Sequence, residues 1–233
     1  MQIIYQDEYA MAVNKPAGLS VYLPKPGDSL MSRLIQVIPE LATVGQAPRY
    51  GLVHRLDKDT SGIILVARNK EALRFLQTQF QKRTVEKLYL GLIYDQIKPS
   101  QGKIESYLVR SPQDFRRQKA IPLGLNPIGR LAQTEYRTLK TWTDYSLLEI
   151  RLKTGRMHQI RAQLSWKGHP IVGDRLYQFK NQSGPKCLSR MFLHSQSISL
   201  TWFDQKIKTF QAPLPKELEA VLECLDKTQH VTT

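Results

Sequence analysis

The sequence predicts an α+β fold built on a large, mostly antiparallel mixed sheet flanked by helices and loops. Two observations carry this. Strand-like runs outnumber helical ones, and many adjoin in hairpin-like pairs. No internal repeat divides the chain, and no shift in composition marks a linker. The strand-like runs, in order, are QIIYQ, YAMAV, IILVAR, KLYLGLIY, KIESYLV, TEYRTL, YSLLEIRL, ISLTWF and IKTFQA. Several alternate apolar and polar residues, as half-buried strands do.

Helices are fewer. Ser29 can cap SLMSRLIQVI, with Leu30, Leu34 and Ile38 on one stripe. Asn69 can cap KEALRFLQTQF, where Leu73, Leu76 and Phe80 follow helical spacing. PKELEAVLECLD begins with Pro215, carries Glu217 and Glu219 early, and turns Leu218, Val221, Leu222 and Leu225 inward. These stripes read as core. One domain is expected over residues 1–227, with a frayed tail over 228–233.

The 233 residues carry 34 Lys+Arg against 20 Asp+Glu, a formal charge of +14. The excess is uneven. Residues 1–50 hold 4 charges of each sign, residues 51–130 hold 15 basic against 7 acidic, and residues 131–233 hold 15 against 9. Such a surface attracts polyanions, and nucleic acid is the first candidate. Solvated surface lysines are the alternative, and charge alone does not separate the two. The stretch from Arg110 to Arg130 has poor periodicity, several Pro and Gly, and an aromatic, Phe115. It reads as a long basic loop, with Arg116, Arg117 and Lys119 as candidate nucleic-acid clamp residues by position and charge. A disordered surface loop is the competing reading of the same stretch.

Other classes are disfavoured. No apolar run approaches the roughly 18–20 residues of a membrane span. MQIIYQDEYAMAVNK does not look like a secretory leader. Cys187 and Cys224 are too few for a disulfide framework and suit a reducing, cytoplasmic compartment. His54, His158, His169 and His194 never fall at HxxxH spacing, so no metal is expected. GxxxxGK[ST], GxGxxG and GxSxG are all missing, which leaves nucleotide-triphosphate, dinucleotide and serine-hydrolase readings without support.

Polar chemistry gathers in two clusters that interrupt apolar strands. In GLVHRLDKDTSGIILVAR, residues His54 to Gly62 form a turn between strand-like segments. Asp57, Asp59, Thr60 and Ser61 can each bond local backbone, as in an ordinary Asx-rich turn. Alternatively one carboxylate is a nucleophile or an acid–base group, with Arg55 beside it. Spacing alone does not choose between Asp57 and Asp59. In LKTGRMHQIRAQLSWKGHPIVGD, Thr154-Gly155 ends a strand and HQIRAQLSW fits a helix. Arg156, His158 and Arg161 at its start could hold an anion, or could form a solvated polar face.

At this point a family resemblance becomes specific. HRLDKDTSG resembles the signature of the RluA-type RNA pseudouridine synthases, HRLD followed by two variable residues and TSG. NKPAG (Asn14 to Gly18) resembles the first motif of that family, and Lys87 with Tyr89 resembles its K-x-Y element. TGRMHQIR, GHPIVGDRLY and FLHS resemble its later signatures, and all six blocks occur in family order. Ala162-Gln163 stand where Val-His is common, and Gln178 stands where Gly often follows Tyr177.

The resemblance implies the pseudouridine synthase fold and a cofactor-free, metal-free isomerisation of uridine in RNA. It implies Asp57 as the catalytic carboxylate, Arg161 as its charge partner, and Tyr89 against the uracil ring. Asp59 then falls to the turn. Arg55 is implied to fill the gap left by a flipped base, with His54, Thr60, Arg156 and His158 among substrate-binding residues. Nucleophilic attack at C1′ and a glycal route both remain open. The separate S4-like RNA-binding domain of some members is not expected. Partners implied are ribosomal or transfer RNA; no membrane partner is expected from the composition, and a monomer is the default expectation. A non-catalytic RNA-binding protein that keeps the scaffold is the alternative, and an acid–base hydrolase using Asp57 and His54 is a third.

Overall fold

The computed structural model describes residues 1–23, 25, 27–124 and 129–230. In chain order the elements are β1 (Gln2–Gln6), β2 (Ala10–Lys15), α1 (Leu30–Val37), a short 3-10 helix (Pro39–Thr43), β3 (Ser61–Ala67), α2 (Lys70–Lys82), β4 (Glu86–Tyr94), β5 (Gln101–Arg110), β6 (Gln118–Ile121), β7 (Arg130–Thr141), β8 (Tyr145–Leu152), α3 (Gln159–Trp166), β9 (Leu193–Thr201), β10 (Ile207–Gln211) and α4 (Lys216–His230). Strands predominate and the fold is α+β, as expected. Residues 1–227, expected as one domain, divide into two compact units. One comprises Met1–Lys87 and Ser195–Pro213, the other Leu88–His194 and the chain from Leu214 onward.

The first unit arranges its strands β1-β2-β3-β9, with β10 paired to β9. The pairs β1/β2, β2/β3 and β9/β10 are antiparallel. Alternation sorts the side chains. Ala10 and Ala12 of β2 join Ile63, Leu65 and Ala67 of β3 in a core with Leu73 and Leu76 of α2, Trp202 and Phe210. Both predicted caps form. The Ser29 hydroxyl accepts from Ser32 N–H at 3.1 Å while the Ser32 hydroxyl accepts from Ser29 N–H at 2.8 Å. The Asn69 side chain accepts from Ala72 N–H at 2.8 Å.

The second unit orders its strands β4-β8-β7-β5-β6, each neighbouring pair antiparallel. On one side α4 lays Leu218, Val221 and Leu225 against Leu92, Trp142 and Phe192. A smaller cluster joins Ala162 of α3 with Leu108, Ala120, Ala132 and Tyr177. α3 is anchored by buried amides as well as by apolar packing. Gln163 Nε2 donates to the Ile104 and Ala132 carbonyls and to the Ser106 hydroxyl, and its Oε1 accepts from Thr134 at 2.6 Å. Gln159 Oε1 accepts from Thr154 and from Arg156 N–H, and its Nε2 donates to Gln133 O and Thr134. The nitrogen and the oxygen of each side-chain amide therefore have partners, as buried amides require.

Two expectations are corrected. The segment between Arg110 and Arg130 is not all loop: Gln118–Ile121 forms β6, paired to Tyr107–Arg110 of β5. Its neighbours Pro and Gly hid a short edge strand that buries Ala120. Residues 125–128 of that stretch lie outside the described residues. α4 continues to His230, into the stretch expected as a tail. Residues 231–233 lie outside the described residues.

Candidate functional site

In the first unit, the polar turn after Gly51 is held from below by a buried cation. Lys15 ends β2 with no solvent exposure. Its Nζ donates to the carbonyls of Pro16, Leu19 and Lys58, each at 2.9 Å. One ammonium thus ties the NKPAG loop to the HRLDKDTSG turn. A buried ammonium is tolerated only where its three donors are met, and three converging carbonyls meet them. At the far end, Gly62 has φ +116° and packs against the Ser195 backbone so closely that no Cβ fits. The Thr60 N–H donates to the Asp57 carbonyl at 3.2 Å, closing the turn.

Within this turn Asp57 is half-buried, Asp59 and Arg55 are exposed, and Thr60 is buried. Arg55 Nη1 donates to the Tyr22 hydroxyl at 3.1 Å, and its guanidinium lies 5.3 Å from that ring's centroid. Arg49 approaches the same ring at 5.2 Å. His54 stacks on Phe80 with centroids 4.8 Å apart, and its Nε2 accepts from Leu65 N–H at 2.9 Å. Burial, then the charge of Lys87, pushes the His54 imidazole down to about 3. It is neutral at physiological pH and serves as a strut between the turn and β3. Burial, then the Arg83 charge, pushes the Lys87 ammonium down to about 8.

In the second unit, Tyr89 lies buried on β4, opposite Ile150 of β8. Arg161 on α3 is buried and forms a bidentate pair with buried Asp174: Nε to Oδ2 at 2.6 Å and Nη2 to Oδ1 at 2.8 Å. Asp174 Oδ1 also accepts from the N–H groups of Leu176 and Tyr177. The fork fixes the plane of the guanidinium. Tyr177 packs beneath it, with the Arg161 and Arg117 guanidinium carbons each 5.1 Å from its ring centroid. Its hydroxyl accepts from Gln118 N–H at 2.6 Å and lies 3.2 Å from His158 Nδ1. His158 precedes α3 in a left-handed conformation, φ +54°, uncommon for a residue other than glycine. Arg156 Nε donates to Leu131 O at 3.1 Å.

The residues expected to act together thus fall into two groups. His54, Arg55, Asp57 and Thr60 share the turn of the first unit, while Tyr89, Arg156, His158 and Arg161 belong to the second. Of the clamp candidates, exposed Arg116 is already engaged by Asp114 through two contacts of 2.9 Å. That pairing holds the Asp114 carboxyl down at about 2. Arg117 rests on Tyr177, and Lys119 is exposed. Sequence reasoning missed Lys15, Asp174 and Tyr177 as organising residues. The available signals were a lysine closing an apolar strand and an acid following the apolar pair Ile171-Val172. Among the described residues no group of three or more His, Cys, Asp or Glu could hold a metal ion. No described helix is long and apolar enough to cross a membrane.

The turn, the α3 start and the fold around them define a class. The sequence model for RNA pseudouridylate synthase matches residues 9–166, and the chain belongs to that family. This is the family that the ordered motifs resemble. Among curated relatives, the uncharacterized RNA pseudouridine synthase of Chloroflexus aurantiacus is 42% identical over 220 residues, covering 91% of this chain and 65% of that protein. The ribosomal large subunit pseudouridine synthase D of Nitrosomonas europaea is 34% identical over 240 residues, covering 99% and 67%. The chain therefore spans about two thirds of the length of these relatives. Among solved structures, human RNA pseudouridylate synthase domain containing 1 superposes with a TM-score of 0.76 at 24% identity, covering 98% of this chain and 94% of that one. That likeness bears on the fold.

Proposed function

We propose that the protein isomerises uridine to pseudouridine in structured RNA, with Asp57 as the catalytic carboxylate. The observation that carries this reading is the Asp57 turn itself. It lies inside the family-matched segment and is held at Lys58 by Lys15 and at its end by the close packing of Gly62. Rigid presentation is what a carboxylate needs if it is to meet one atom of a bound substrate. The reaction breaks the N1–C1′ bond of uridine, rotates the detached uracil and rejoins it through C5. It is an isomerisation, and the resemblance implies that it needs no cofactor or metal.

The remaining roles follow the family resemblance. Tyr89 lies against the uracil. Arg161, its plane fixed by Asp174, is the charge partner that the resemblance assigns to the catalytic carboxylate. Arg55, exposed beside Tyr22, occupies the gap left when the nucleotide is extruded. Arg156 and His158 bind substrate oxygens, Thr60 orients the turn, and His54 positions it through Leu65. The substrates are ribosomal or transfer RNA, a class in keeping with the names of relatives such as ribosomal large subunit pseudouridine synthase D. The protein acts as a cytoplasmic monomer, and its two cysteines form no disulfide.

The test is tritium release from RNA carrying 5-tritiated uracil. Wild type releases tritium, and Asp57→Asn does not. Full release by Asp57→Asn would remove the site assignment. RNA binding by wild type without any release would favour a non-catalytic RNA-binding protein.

A further inference from the structure

We propose that a cavity beside α3 in the second unit is a subsite for one unpaired nucleotide, with its base against Trp166 and its phosphate on Arg117 and Lys119. This rests on the reading of RNA as substrate, and adds a contact that the reaction itself does not require. The cavity measures about 270 Å³ and is lined by Arg117, Gln118, Lys119, Ser165, Trp166 and Tyr177, among others. Ligand pockets run from roughly 300 Å³ upward, so this one lies at the small end and has no room for an extended ligand.

Trp166 is unlike the other two tryptophans. Trp142 and Trp202 are 3% and 4% exposed, and their indole N–H groups donate to Asp226 and Asp7. Trp166 is 37% exposed, at the end of α3, with Lys167 Nζ 4.5 Å from its ring centroid. An aromatic face at the surface beside cations is the arrangement on which unpaired bases stack. Charge agrees. Arg117 and Lys119 line the cavity, and no carboxylate is among its described lining residues. Asp114, the acid nearest in sequence, is engaged by Arg116. The amides of Gln113 and Gln118 offer donors and acceptors to a base edge.

The subsite also shares a wall with the proposed chemistry. Tyr177 lines the cavity, carries Arg117 over its ring, and packs against Arg161. RNA seated on Arg117 therefore bears on the residue that braces Arg161.

Tryptophan fluorescence reads this site selectively, because only Trp166 is accessible among the three. The probe is a short single-stranded oligoribonucleotide, titrated into the full chain. We expect saturable quenching, which a duplex of the same sequence does not produce. Trp166→Phe loses the quenching but retains affinity, since a phenyl ring still stacks. Trp166→Ala weakens affinity, measured by anisotropy of a labelled oligonucleotide, by about five- to a hundredfold. Unchanged affinity in Trp166→Ala, absent quenching, or equal quenching by the duplex would each overturn the proposal. Tritium release separates this from the function itself. Trp166→Ala should raise KM for RNA in that assay. A wild-type protein that never releases tritium defeats the enzymatic reading while leaving the fluorescence titration interpretable.

Discussion

Lys15→Met removes one charge and almost no volume, and tests whether a buried ammonium organises the catalytic turn. Methionine follows the path of the lysine stem, so the packing loss is small. The three carbonyls of Pro16, Leu19 and Lys58 lose their common donor. Hydrogen bonds to a charged group contribute about 1.5–3 kcal/mol each, so the gross loss is roughly 5–9 kcal/mol. Relief from burying an ammonium offsets several kcal/mol of this. The net destabilisation is roughly 2–5 kcal/mol. For a chain of this size each kcal/mol lowers Tm by about 2–4 °C, and the expected drop is roughly 5–20 °C. Differential scanning calorimetry measures it directly. Turnover at 25 °C, where the variant is still folded, should fall as well, because Lys58 and the NKPAG loop are no longer tied. A Tm within about 2 °C of wild type together with unchanged turnover would refute the reasoning.

Asp174→Ala leaves the Arg161 guanidinium buried without its bidentate partner, and should destabilise the protein by about 3–5 kcal/mol in urea unfolding. The double variant Arg161→Met/Asp174→Leu should lose less than Asp174→Ala alone, and an equal or larger loss would remove the claim that the uncompensated charge is what costs. The His54 imidazole is lowered from 6.5 to about 3 in the folded state, so between those pH values the unfolded chain binds more protons. Stability therefore rises with pH across that window, by at most about 1.4 kcal/mol per pH unit. His54→Gln, whose amide oxygen can still accept from Leu65 N–H, should flatten the slope relative to wild type in pH-dependent urea titrations.

What could be read in the sequence was local. Ser29 and Asn69 announce α1 and α2 because a cap and its first turn lie within four residues. β3 was legible as an unbroken apolar run and is buried throughout. β6 was not, because a four-residue edge strand exists only through its pairing with β5. At the site, the motifs located the turn and the α3 start, but not what holds them. Lys15 meets Lys58 across 43 residues, and Arg161 meets Asp174 across 13. Nothing in a local pattern states which backbone carbonyls will converge on a lysine. Gln163, a departure from the common family residue, is explained by the same kind of distance: its partners lie on two strands, at Ile104 and Ser106 of β5 and at Ala132 and Thr134 of β7, and between them they engage both ends of the amide.

The net charge of +14 overstates what a short RNA can meet, and salt dependence separates the two quantities. Lys15 is spent on carbonyls inside the first unit, and Arg161 on Asp174 inside the second. Exposed Arg33, Lys103, Arg116 and Arg137 each carry an acidic partner within 3.2 Å, so an approaching phosphate meets a pair and not a lone cation. The cavity beside Trp166 is lined by Arg117 and Lys119, and Lys167 lies over the Trp166 ring. Each phosphate neutralised on a single strand contributes about −0.7 to the slope of log affinity against log salt, so three contacts give a slope of about −2. A surface acting through its whole excess charge would give roughly −10 by the same rule. Arg117→Gln should make the slope shallower by about 0.7, whereas Arg116→Gln should leave it nearly unchanged because Asp114 already engages that charge. Equal effects of the two substitutions, measured by titrating one oligonucleotide across a salt series, would show that RNA meets the basic segment as a diffuse cloud of charge and not through the particular side chains that line the cavity.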